Sequence, residues 1–133
     1  MTTQKEINLL SRAIIGYAID VHKELGPGLL ESIYEKCLTH LLIQNGYSVA
    51  RQQVIPLNFR GLSLDCELRF DLMVNELIIA VDELLPIHEA QLLTYLKLLK
   101  KPKGILINFN CLNIFKEGQQ TFVTEHFRVL PEE

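Results

Sequence analysis

Cysteine is scarce in this chain. Its three cysteines, Cys37, Cys66 and Cys111, are odd in number, far apart and form no CxxC pair. That excludes a disulfide framework and fits buried thiols in a reducing compartment, so a cytoplasmic protein is expected. Positive charge is not in excess either: 13 Lys and Arg face 16 Asp and Glu, for a net charge of -3. A general pull toward nucleic acid or anionic membrane is thereby excluded, and any such contact would need a local basic patch. No apolar run approaches the ~20 residues of a membrane span. The opening MTTQKEINLL lacks a basic region followed by a long apolar stretch, so neither a membrane segment nor a signal peptide is expected. There is no repeat, no low-complexity tract and no linker. Nor does any Asp-x-Lys or Glu-x-Lys occur in the chain.

What is present suffices for one packed domain over residues 1–133. The chain has 133 residues, and 48% of them are hydrophobic. Ile7, Leu10, Ile14, Ala18, Val21 and Leu25 recur at spacings of three and four, which predicts a helix over Gln4 to Leu25. Gly26-Pro27-Gly28 breaks it. A second helix is predicted from about Leu29 to Gln44, with a stripe of Leu30, Ile33, Tyr34, Cys37, Leu38, Leu41 and Leu42, and Asn45-Gly46 as its stop. The period then shortens. Ser48 to Phe59 reads as extended, with an edge position or bend at Pro56. Leu64 to Val74 reads as a strand that puts Asp65, Glu67, Arg69 and Asp71 on one face. Asn75-Glu76 turns into the apolar strand Leu77 to Val81. Pro86 opens a third helix that runs to about Lys100. Ile105 to Phe109 reads as a buried strand, and Thr121 to Leu130 as a final extended segment. The order ααβββαβ(β) is an α/β architecture with a mixed sheet and helices on its faces.

Several of these segments carry a resemblance. Gly28-Leu29-Leu30-Glu31-Ser32-Ile33-Tyr34 matches GxxExxY and follows Leu25-Gly26-Pro27. Downstream come Arg69-Phe70-Asp71-Leu72, then the run from Leu84 through Pro86, His88 and Gln91 to Leu96, then Gly104 to Phe109. Together they resemble the GxxExxY protein family, a small bacterial and archaeal branch of the PD-(D/E)XK nuclease-like superfamily, over about Ile7 to Val123. The resemblance implies a restriction-endonuclease-like fold, a Mg²⁺-dependent phosphodiesterase site and a nucleic-acid partner. Residue by residue, Glu31 matches the glutamate of the first core helix, Asp71 the aspartate of the second core strand, and Gln91 the glutamine of the following helix. The third strand of such a protein also carries an acid and, two residues on, a lysine. Here Ala80-Val81 follows Ile79 directly, as though a Glu-Leu-Lys triplet were missing.

That triplet matters chemically. Phosphodiester cleavage at neutral pH needs a nucleophilic water and stabilisation of charge on phosphate oxygens. Mg²⁺ held by carboxylates on two elements can supply both, and a nearby lysine can orient the water. Asp71 and the strand acid would be the two carboxylates, with Glu31 as a further oxygen donor. The nearest substitutes in sequence are Asp82 and Glu83, just past the strand, with no lysine beside them. Glu67-Leu68-Arg69 has the spacing, but arginine stays protonated and cannot act as a base. The sequence is therefore read as a degenerate nuclease-like protein with Glu31, Asp71 and Gln91 as remnants and little or no metal binding. Three alternatives stay open: an active nuclease with Asp82 or Glu83 as substitute acid, a non-catalytic binding or assembly module, perhaps as a homodimer, and a triplet lost from this copy of the sequence alone. His88 reads as a surface or packing histidine, and Tyr34 as either a packing or a site residue. Lys97, Lys100, Lys101 and Lys103 read as a solvated helix end, with phosphate contact as the alternative.

Overall fold

A computed structural model describes residues 2–64 and 68–133. The chain opens with helices α1 (Gln4–Leu25) and α2 (Glu31–Gln44). Strand β1 (Val49–Arg51), a small hairpin of β2 (Asn58–Phe59) and β3 (Leu62–Ser63), and strands β4 (Leu72–Val74) and β5 (Leu77–Val81) follow. Helix α3 (Pro86–Leu99) crosses over to β6 (Lys103–Ile107). A π-helical turn (Ile114–Gly118), strand β7 (Gln119–Val123) and a short α4 (Glu125–Arg128) complete the chain. The main sheet has the order β1-β4-β5-β6-β7. Only β5 and β6 run parallel, as the α3 crossover requires; the other pairs are antiparallel. This mixed five-stranded sheet with flanking helices is the restriction-endonuclease-like α/β fold expected from the sequence.

Local chemistry sets the element ends. Thr3 caps α1 through a reciprocal capping box with Glu6. Pro86 at the start of α3 gives up an N–H that has no helical partner there. The sheet separates two apolar layers by simple alternation. Leu72, Val74, Leu77, Ile79, Val81, Ile105 and Ile107 pack with Ile14 and Ala18 of α1 and Leu38 of α2. On the other face, Ile78 and Leu106 pack with Leu92, Tyr95 and Leu96 of α3. Each fully buried aliphatic side chain contributes about 1.5–3 kcal/mol to this packing. Gly104 lets α3 lie close on β6, because a Cβ there would stand 2.9 Å from Leu96 Cδ1 and 3.1 Å from Leu92 Cδ1.

Four details differ from the sequence reading. The apolar stripe of α2 is buried at Tyr34, Leu38 and Leu42, with Cys37 and Leu41 half-buried against the same core, while Leu30 is 73% exposed and Ile33 is also exposed; Leu30 lies outside the helix as its N-cap. The segment 48–59 is not one strand: Gln52 has φ 50, and this left-handed residue ends β1. Pro56 lies in the irregular stretch beyond it. Of the strand expected over 64–74, among the described residues only Leu72–Val74 joins the sheet, and Arg69 forms an isolated bridge with Val54. Asp65 and Glu67, expected on its face, and Cys66 lie outside the described residues. The extended segment expected over 121–130 starts earlier and ends at Val123, because the Thr124 hydroxyl accepts from the His126 N–H and caps α4.

Candidate active site

Strand β5 pairs with β6 without interruption, from Leu77 opposite Lys103 to Val81 opposite Ile107. Ile78 and Ala80 face α3, and Asp82, next in the alternation, lies just past the strand with its N–H bonded to Ile107 O at 3.0 Å. All three line a cleft of about 290 Å³ at this end of the strand. Helix α3 closes one wall with His88, Gln91, Leu92 and Tyr95, which share one helical face. Glu31, Ser32 and Glu35 enter from the first turns of α2, and Arg69 and Asp71 from the approach to β4. Glu31, Asp71, Gln91 and Asp82 thus meet in one cleft. Glu83 does not line it; its carbonyl faces His88 Nδ1 at 2.8 Å instead.

Tyr34 sets the entry of α2. Its hydroxyl donates to Gly26 O and accepts from the Leu29 N–H at 3.1 Å, and its ring stacks on Phe109 at 4.6 Å between centroids. Gly26 (φ 67) and Gly28 (φ 102) supply backbone angles that other residues rarely adopt. The Gly28 N–H donates to Asn110 Oδ1 at 2.7 Å. The tyrosine of the GxxExxY pattern therefore holds the turn that delivers Glu31.

The register of β4 against β5 puts Leu72 opposite Ile79, so Asp71, one residue earlier, comes alongside Ala80 and Val81. Both Asp71 carboxylate oxygens have donors: the Val81 N–H at 2.9 Å and Gln52 Nε2 at 3.2 Å. The same Gln52 nitrogen stands 3.0 and 3.1 Å from the two oxygens of Glu35. Glu35 is only 4% exposed and also pairs with Arg51 Nε at 3.0 Å. Arg69 donates to Gln52 O at 3.1 Å. Burial raises the Asp71 pKa above the usual carboxylate value, the Val81 bond lowers it, and the neighbouring Glu35 charge raises it again. Burial, with the Asp71 charge added, also raises the Tyr95 pKa.

Asp82 stands 3.3 Å from His88 Nε2 and close enough to Glu31 for its charge to act on that carboxyl. Burial raises Glu31 to about 7, helped by the Asp82 and Asp71 charges and opposed by His88.

The donor chemistry suits a hard cation in kind but not in arrangement. Each Asp71 oxygen already holds one protein donor and has a single lone pair left, and Asp82 is engaged by His88 and by the Glu83 N–H at 2.9 Å. Among the described residues, no three His, Cys, Asp or Glu side chains converge as a metal site. No lysine lines the cleft. The residues present thus do not fit a resident Mg²⁺ as they stand. Sequence reading missed Glu35, Gln52 and the role of His88. Glu35 could have been found only as the residue one helical turn after Glu31, since its partners lie beyond the next loop. The basic cluster after α3 stays away from the cleft: Lys101 pairs with Glu76 at 3.2 Å, and Lys103 donates to Asn8 at 3.0 Å.

No curated protein and no solved structure gives a significant match to the chain. A family model described as the PD-(D/E)XK nuclease superfamily matches residues 8–122. PD-(D/E)XK nucleases generally use divalent metals. The mixed sheet, the carboxylate cleft at the end of β5 and this match agree, and the chain belongs to the PD-(D/E)XK nuclease superfamily.

Proposed function

We propose that this chain is a degenerate nuclease-like protein of the GxxExxY branch. In this reading Glu31, Asp71 and Gln91 are remnants of a metal-dependent phosphodiesterase site that no longer cleaves nucleic acid at an appreciable rate. The observation that carries the reading is the cleft-facing row of β5. Beside Asp71 stands Ala80, and two residues on, where a cation would orient water and offset phosphate charge, stands Asp82. The row offers neither an acid in the first position nor a cation in the second. Arg69, the cationic side chain nearest in sequence to Asp71, cannot accept a proton from water. Four carboxylates, Glu31, Glu35, Asp71 and Asp82, line the cleft against the one Arg69 guanidinium, and this excess of negative charge repels a phosphodiester.

The test is direct. Purified protein is incubated with single- and double-stranded DNA and RNA in Mg²⁺ or Mn²⁺, alongside Asp71→Ala. The expected result is no cleavage above the variant's background. Divalent-dependent cleavage that Asp71→Ala abolishes would sink the proposal.

One placement favours a second reading, a working nuclease with Asp82 as substitute acid. Asp82 lines the cleft with Glu31 and Asp71, and a divalent ion held among them would displace the proton that the raised pKa leaves on Glu31. Calorimetric Mn²⁺ binding that disappears in Asp82→Ala would support it. Glu83 is the weaker substitute, since it stays out of the cleft lining.

A further inference from the structure

Helices α1 and α3 meet solvent differently. Helix α1 turns Lys5, Arg12, Asp20, Lys23 and Glu24 outward. Helix α3 has eight exposed positions, and Lys97 is the only charge among them. Ile87 is 69% exposed, Leu93 41% and Leu98 36%. The opposite face holds Leu92, Tyr95 and Leu96 against the sheet. A helix that is apolar on all sides is normally buried on all sides, and α3 is covered on one side alone.

The charges beside this outer face say what covers it. Glu89 lies in the first turn and Lys97 in the last, each four residues from Leu93. Neither has an ion-pair partner among the described residues. At about 100° per residue, Glu89, Leu93 and Lys97 fall toward one flank, Ile87 and Leu98 on the other, and Ala90 and Thr94 between them. Two antiparallel helices related by a two-fold axis bring the same flank of each together, first turn against last turn. With the axis at Leu93, Leu93 meets Leu93 of the second copy, Glu89 meets Lys97, and Ile87 meets Leu98. Acid and base equidistant from one apolar residue make the face complementary in charge to itself. The small Ala90 side chain lets the two helix axes approach. Beside Ile87 lies a hollow of about 600 Å³, bounded by Leu68, Ala90 and Thr94, which can receive Leu98 of the second copy.

We propose that the outer face of α3 is a homodimer interface, in which two α3 helices pack antiparallel about a two-fold axis at Leu93. A single pair of 14-residue helices is a small interface, so the dimer should be reversible, with a dissociation constant of micromolar order. Ile87, Glu89, Leu93, Lys97 and Leu98 all stay out of the cleft lining, so the interface does not depend on whether the cleft is active.

Sedimentation velocity over a concentration series tests it, with circular dichroism to establish that each variant is folded. Wild type should shift from monomer to dimer. Leu93→Glu sets two carboxylates against each other on the axis and should raise the dissociation constant at least about tenfold. Glu89→Lys and Lys97→Glu, taken singly, each place like charges opposite one another twice and should weaken the dimer by about threefold or more. The two combined exchange acid and base, and should bring the constant back to near that of wild type. A wild-type monomer at every soluble concentration overturns the proposal, as does an undiminished dimer in folded Leu93→Glu. Should Leu93→Glu fail to fold, the charge exchange decides: a combined variant no tighter than the single ones overturns the antiparallel interface.

Discussion

The Val81 N–H donates to the Asp71 carboxylate across 2.9 Å, so the best-aligned acid of the cleft is tied to the strand beside it. This bond, and the one from Gln52, give Asp71 a structural task whether or not the cleft binds anything. Asp71→Ala leaves the buried Val81 N–H without its acceptor, at an expected cost of about 1–3 kcal/mol. Asp71→Asn keeps a carbonyl oxygen for Val81 and gives up only the longer Gln52 bond, because Gln52 Nε2 stays held by the Glu35 carboxylate. Because burial already penalises the Asp71 charge, the asparagine should lie within about 0.5 kcal/mol of wild type or above it. Urea denaturation at pH 7.5 separates the two. Equal losses in both variants would mean that the charge, not the hydrogen bond, is what the fold uses.

Glu31 makes the stability of this protein depend on pH in a sense opposite to a salt-bridged acid. Its pKa is about 7 in the folded chain against an ordinary 4.5. Between those values the folded chain holds a proton that the unfolded chain has released. Stability is therefore greater below pH 4.5 as far as this group is concerned, and its share is lost as pH rises through 7. Glu31 is exposed enough that solvent screening holds the effect to about 1 kcal/mol or less. Melting temperatures from pH 5 to pH 8 should fall more steeply in wild type than in Glu31→Gln, which carries no titrating proton. Parallel curves would remove Glu31 as the source.

The sequence showed the helices and β5 more clearly than it showed the cleft. Helix α1 was legible to its ends because Ile7, Leu10, Ile14, Ala18 and Val21 mark one face and Gly26 stops it. Helix α3 was legible from Pro86, and β5 from its apolar run between a turn and an acidic pair. Helix α4 was not, since four residues carry no period. Glu35 lies off the α2 stripe and reads as solvated; its burial depends on Arg51 and Gln52, 16 and 17 residues away. Asp82 was visible as a substitute acid, but its approach to Glu31 follows from the register that β5 takes against β6, a tertiary property. His88 looked like an ordinary helix residue because its partner Asp82 lies across the turn before α3.

That same register allows the missing chemistry to be written back without inserting residues. Ala80 and Asp82 occupy the cleft-facing positions next to Asp71 and two residues beyond. Ala80→Glu would give a second carboxylate beside Asp71, half-buried at the mouth of the cleft. Asp82→Lys would replace the carboxylate that burdens Glu31 with a cation, freeing Glu31 to ionise. The His88 ion pair is lost, but with both side chains partly solvent-exposed it contributes little to stability. The double variant should therefore stay folded and bind Mn²⁺ at least about tenfold more tightly than wild type by calorimetry. That gain should vanish when Asp71→Ala is added, because Asp71 would be one of the ligands. A folded double variant with no gain in Mn²⁺ affinity would show that the cleft has lost more than two side chains, and that its geometry no longer brings the strand acids together.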